Sequence, residues 1–125
     1  MRVLSTKVHG VIDYLMGIIL IAAPWLLKFD REGAETWVPV VLGVGAILYS
    51  LFTDYELSVR RIIPMRTHLT LAILSGVFFA LSPWLLGFHE YVYLPHLILG
   101  ITEVAAGLMT ETTPKHAGYH TNVQN

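Results

Sequence analysis

The chain of 125 residues has no cysteine, so disulfides, thiolate metal sites and thiol redox chemistry are all excluded. Charge is also scarce: 14% of residues are Asp, Glu, Lys or Arg, against roughly 25% in a typical soluble domain. The net charge of −1 carries no information about partners, and where the charges fall matters more; no nucleic-acid partner is expected. The helix-length stretches also lack a polar face. A soluble four-helix bundle needs one on every helix.

What fills the chain is apolar, at 54% of residues, and it is gathered into blocks. Val8 to Leu27 is interrupted only by His9 and Asp13, and Val38 to Phe52 carries no charge. Leu69 to Phe88 has no ionisable group, and Tyr91 to Met109 holds only His96 and Glu103. About 20 residues cross a hydrocarbon core of ~30 Å. Three blocks qualify directly, and the second reaches that length with Trp37 and Thr53. The fold class expected is all-α, a four-helix transmembrane bundle in contact with the lipid bilayer. A cleaved signal peptide is not expected at the N-terminus, because the first run is long and Pro24 follows Ala22-Ala23.

Orientation follows from the basic residues. Arg2, Lys7, Arg60, Arg61, Arg66 and Lys115 fall on one side of a chain that crosses four times, and only Lys28 and Arg31 fall on the other. The positive-inside rule then places both termini in the cytoplasm of a multi-pass cell-membrane protein. Trp25, Trp37, Trp84, Tyr91 and Tyr93 mark the outer boundary, where amphipathic rings favour the headgroups. His96, near the same level, is expected to be interfacial. The organisation reads as a cytoplasmic N-terminus (1–7), a first repeat of two helices (8–54), a cytoplasmic loop (55–66), a second repeat (67–110) and a polar, disordered tail (111–125).

The repeats are visible residue by residue. His9, Gly17 and Pro24-Trp25-Leu26-Leu27-x-Phe29 reappear as His68, Gly76 and Pro83-Trp84-Leu85-Leu86-x-Phe88, an offset of 59. The second helices align at an offset of 57, with Leu42-Gly43 on Leu99-Gly100 and Thr53-Asp54 on Thr110-Glu111. Two helices per repeat bring both halves in from the same side, so the repeats are parallel.

At these residues the chain resembles the SPW-repeat family of small membrane proteins. Ser82-Pro83-Trp84 matches the family's motif, and Ala23-Pro24-Trp25 is a near-match without the serine. The resemblance covers about residues 8 to 110. It implies two two-helix membrane repeats and carries no activity with it. Physically, Pro24 and Pro83 each remove a backbone donor and crowd the carbonyl four residues earlier, at Leu20 and Phe79. A kink or early helix end is expected there. Ser82 can bond a freed carbonyl, Ala23 cannot, and the tryptophan that follows is an interfacial residue. The motif reads as structural.

Small-residue strips, Ala72-x3-Gly76-x3-Ala80 and Thr102-x3-Ala106-x3-Thr110, permit close helix contact within one chain or between copies. Two further strips hold acids: Gly10-x2-Asp13-x3-Gly17 and Gly100-x2-Glu103-x3-Gly107. Positions i−3, i and i+4 share a helix face, so each acid is flanked by glycines that let helices one and four approach. Antiparallel running puts both acids at one depth, with His9 a turn below Asp13 and His68, its repeat mate, at the level of His9. The expected polar cluster, or ion or proton site, is Asp13, Glu103, His9 and His68, with Tyr14 and Thr102 nearby. Two carboxylates this close share a proton or hold a cation.

The function expected from this pattern is a structural or accessory membrane component held by that cluster. It is read as non-enzymatic, with no cofactor and no metal. A homo-oligomer or a place in a larger membrane complex is compatible with four short helices. One alternative is a proton or cation pathway through Asp13 and Glu103, although the outer halves of the helices show no continuous polar route. Another is bis-histidine haem binding by His9 and His68. A metal-dependent hydrolase lacks the His-Glu spacing on one helix that would support it.

Overall fold

The computed structural model describes residues 3–53 and 57–112. Arg2, Lys115, Asp54 of the repeat alignment and all but the first two residues of the polar tail lie outside the described residues. Among the described residues there are four helices: α1 (Thr6–Leu26), α2 (Ala34–Leu51), α3 (Met65–Leu85) and α4 (Leu94–Met109). Ser5 caps α1 by accepting the Val8 amide at 3.1 Å, and Pro64 immediately precedes α3. The first three helices are long and apolar enough to cross a membrane. The short span is α4, not α2: with 16 residues it rises roughly 24 Å. Pro95 in its first turn sets this late start, because proline is accepted where no intrahelical donor is needed.

Each repeat folds as a helical hairpin, α1 against α2 and α3 against α4, and the hairpins touch mainly through α2 and α3. Glycines make the close approaches. A Cβ on Gly43 would lie 2.6 Å from the Gly17 carbonyl oxygen, and one on Gly76 would lie 2.9 Å from that of Gly100. Gly107 faces Ile73 in the same way, at 2.7 Å. This corrects the expected use of Gly17, Gly100 and Gly107. They close each hairpin internally and do not join α1 to α4. Gly10 is buried on α1. Periodicity identifies a shared face, whereas the short 27–33 connection decides which helix meets it.

The proline motif ends α1 and α3 with one shared device. Helix continues two residues past each proline, and then the Leu27 and Leu86 amides bond back to the Ala23 and Ser82 carbonyls. Lys28 (φ 57°) and Gly87 (φ 79°) take the left-handed conformation. The next amides, of Phe29 and Phe88, reach the carbonyls of Pro24 and Pro83, both at 2.8 Å. This is the Schellman stop, with a hydrophobic residue tucked in behind it. Phe29 and Phe88 are accordingly buried while Trp25 and Trp84 are half exposed. Ser82 donates to the Phe79 carbonyl at 2.7 Å, the oxygen that Pro83 deprives of its usual donor. Ser82→Ala is therefore expected to cost about 1 kcal/mol in detergent unfolding. An unchanged midpoint would mean that the carbonyl is served otherwise.

At the opposite end the two halves pair their backbones. Leu4 bridges Thr110, and Thr53 bridges Ile63, both in parallel. These two bridges are repeat mates. They put the starts of α1 and α3 beside the ends of α4 and α2, so both repeats enter from one side.

Candidate functional site

Between the backbone bridges lies a wholly buried polar group. Thr53 donates to the Tyr49 carbonyl (2.7 Å) and stands 2.7 Å from His68 Nδ1. Having given its proton to a carbonyl, the hydroxyl can only accept, so Nδ1 of His68 carries hydrogen. The repeat mate behaves identically. Thr110 donates to the Ala106 carbonyl (2.5 Å) and accepts from His9 Nδ1 at 2.8 Å. Each histidine thus borrows its threonine from the other repeat. Both imidazoles present Nε2 to the same carboxylate: His68 Nε2 is 2.5 Å from Asp13 Oδ2, and His9 Nε2 is 3.2 Å from it. The His9 contact is not a hydrogen bond, and among the described residues His9 Nε2 has no hydrogen-bonding partner.

Asp13 is the hub. Its Oδ2 also accepts from Ser50 at 3.1 Å, while Oδ1 has no donor of that kind. The Glu103 carboxyl is a neighbour of Asp13 at the end of one shared cavity, and two carboxyls that close can share one proton or hold a cation. Tyr49 stacks flat on His68 with centroids 4.5 Å apart, and the His9 and His68 rings meet edge-on at 5.4 Å. The structure therefore brings Asp13, Glu103, His9 and His68 together. It does not bring Tyr14 or Thr102. Tyr14 donates away to the Leu57 carbonyl at 2.9 Å, and Thr102 is exposed, bonded to the Ile98 carbonyl of its own helix. The residues that sequence reasoning missed are Ser50, Thr53, Thr110 and Tyr49. The two threonines had a signal, since they align in the repeats.

An apolar cavity of about 540 Å³ rises from this group between the hairpins. Asp13, His68 and Glu103 form its polar end, and the exposed side chains of Val41 and Leu74 place its mouth between α2 and α3. Its walls are aliphatic or aromatic along most of their length, which gives no polar path outward. Nor is the histidine geometry that of bis-axial haem ligation, because Asp13 occupies the space that both Nε2 atoms face.

His96 departs from its expected interfacial position. It is fully buried at the far end, boxed by Phe29, Phe79 and Phe88 with centroids 4.9–5.3 Å away. Its Nε2 donates to the Glu35 carbonyl at 2.9 Å and ties α4 to the start of α2. The Schellman phenylalanines create this box, which is why a boundary histidine is not wet.

The repeated motif, the shared helix stops and the exchanged threonines all describe one unit used twice. The profile of the SPW repeat domain matches residues 7–110. The chain belongs to the SPW repeat family. Comparison with curated proteins and with solved structures finds no match to either. In this SPW repeat protein the family match and the apolar helices together indicate a membrane protein, and the buried His/Asp group is part of its fold.

Proposed function

We propose that the protein is a non-enzymatic structural or accessory component of the cell membrane, with both termini cytoplasmic. Its two hairpins are clasped by Asp13, Glu103, His9 and His68. The observation that carries this reading is the reach of one carboxylate. Asp13 on α1 meets Ser50 on α2, His68 on α3 and Glu103 on α4, and has His9 on its own helix. In hydrocarbon such groups are costly alone and hold helices together when paired. The lipid-facing apolar side chains leave room for a second copy or a larger complex.

A double-mutant cycle tests the clasp. Asp13→Asn and Glu103→Gln should each lower the unfolding midpoint in detergent, and together they should lower it by less or more than the sum. The expected coupling is about 0.5–3 kcal/mol. Additive or negligible effects would show that the two acids do not act as one unit.

A further inference from the structure

Among the described residues hydrogen bonding leaves Asp13 Oδ1 and His9 Nε2 unserved, and His9 Nε2 stands 3.2 Å from the other oxygen, Oδ2, of the same carboxylate. Asp13 is 2% exposed and His9 not at all. A carboxylate oxygen and an imidazole lone pair side by side repel one another unless something positive lies between them. We propose that His9 Nε2, Asp13 and His68 Nε2 form a binding site for one divalent transition-metal ion of the zinc class.

The donor atoms are already gathered. One from each of His9, Asp13 and His68 lies within 4.8 Å of the others. The threonines fix the imidazoles in the form a metal requires, since a hydrogen on Nδ1 leaves Nε2 as the ligating nitrogen. Metal-bound histidines characteristically donate their other ring N–H to a fixed oxygen, and that partner orients the ring. Thr110 and Thr53 fill this role for His9 and His68.

The spacing fits as well. Metal–nitrogen and metal–oxygen bonds of about 2.0–2.1 Å place tetrahedral ligand atoms roughly 3.3 Å apart. The His9 Nε2 to Asp13 Oδ2 distance is 3.2 Å. His68 Nε2, at 2.5 Å, is linked to the carboxylate through a proton. Metal entry displaces that proton to solvent, and His68 retreats by about 0.8 Å to reach the same spacing. Two imidazoles and carboxylate oxygen without thiolate suit zinc, manganese or iron(II) better than magnesium or calcium. The site goes beyond the clasp, which holds on hydrogen bonds alone.

The test uses the untagged full chain in detergent micelles, stripped with chelator. His89, His116 and His120, which are not among the proposed ligands, are replaced by Gln to remove adventitious ligands. Titration with cobalt(II) should give visible ligand-field absorption saturating at one equivalent per chain, reversed by zinc(II). His68→Gln and His9→Gln should weaken binding by at least a hundredfold. Thr53→Val and Thr110→Val keep every ligand and loosen only its support, so a loss of about 10–100-fold is expected. They decide the matter where a histidine variant fails to fold. Non-saturating cobalt spectra in the parent, or affinity unchanged in Thr53→Val and Thr110→Val, would overturn the site. Neither result touches the clasp, which is judged by the acid cycle in metal-free protein.

Discussion

Asp13→Ala should destabilise the folded bundle by about 3–5 kcal/mol, the cost of breaking a buried ion pair by removing one partner. The side chain is the acceptor for Ser50 and His68 and the nearest charge to His9. Its loss strands the Ser50 hydroxyl and His68 Nε2, both buried, without their acceptor. Asp13→Asn keeps the shape and one acceptor oxygen, so it should cost less than alanine. Unfolding of metal-free protein in detergent micelles, followed by circular dichroism, measures both. Equal midpoints for wild type and Asp13→Ala would remove the carboxylate as the organising group.

Gly100→Leu is expected to be comparably severe within the second hairpin. A Cβ there would sit 2.5 Å from the Ala80 amide nitrogen and 2.7 Å from both the Ala80 Cα and the Gly76 carbonyl oxygen. These are backbone atoms, which cannot swing aside as a flexible side chain can. The helices must separate, at about 3 kcal/mol or more, the upper part of the usual cost of overpacking. Gly45 provides the control, because a Cβ on it meets nothing within 4 Å. Gly45→Leu should leave the midpoint unchanged or slightly raised through helix propensity. If Gly100→Leu behaves like Gly45→Leu, α3 and α4 do not pack through this glycine.

The sequence was most legible where composition and repetition speak directly. Run lengths gave four helices, and the offset of 59 from His9 to His68 gave two parallel units. Depth along the helices places both acids at one height with the histidines a turn below, but depth does not say which helices are neighbours. A glycine strip shows which face is smooth, and only the loops and packing show that Gly17 meets Gly43 and that Gly100 meets Gly76. Ser50, Thr53 and Thr110 resemble ordinary helix-end residues until the fold turns their hydroxyls inward. His96 looked like a membrane-boundary residue because the Schellman turns that wall it in appear only once Lys28 and Gly87 adopt positive φ. The Phe29 and Phe88 of the motif, unexplained by periodicity, are what those turns bury.

The crossing of threonines between repeats bears on ancestry. A single hairpin with one histidine and one threonine leaves that pair unmade, since His9 uses Thr110 and His68 uses Thr53. Two separate copies associating about a twofold axis would complete both pairs at once, each lending its hydroxyl to the other. Gene fusion then frees each half to vary alone. Asp13 has Ala72 as its counterpart, and Glu103 has Ala46. A symmetric dimer would have had to double each acid, placing four carboxyls where this chain places two.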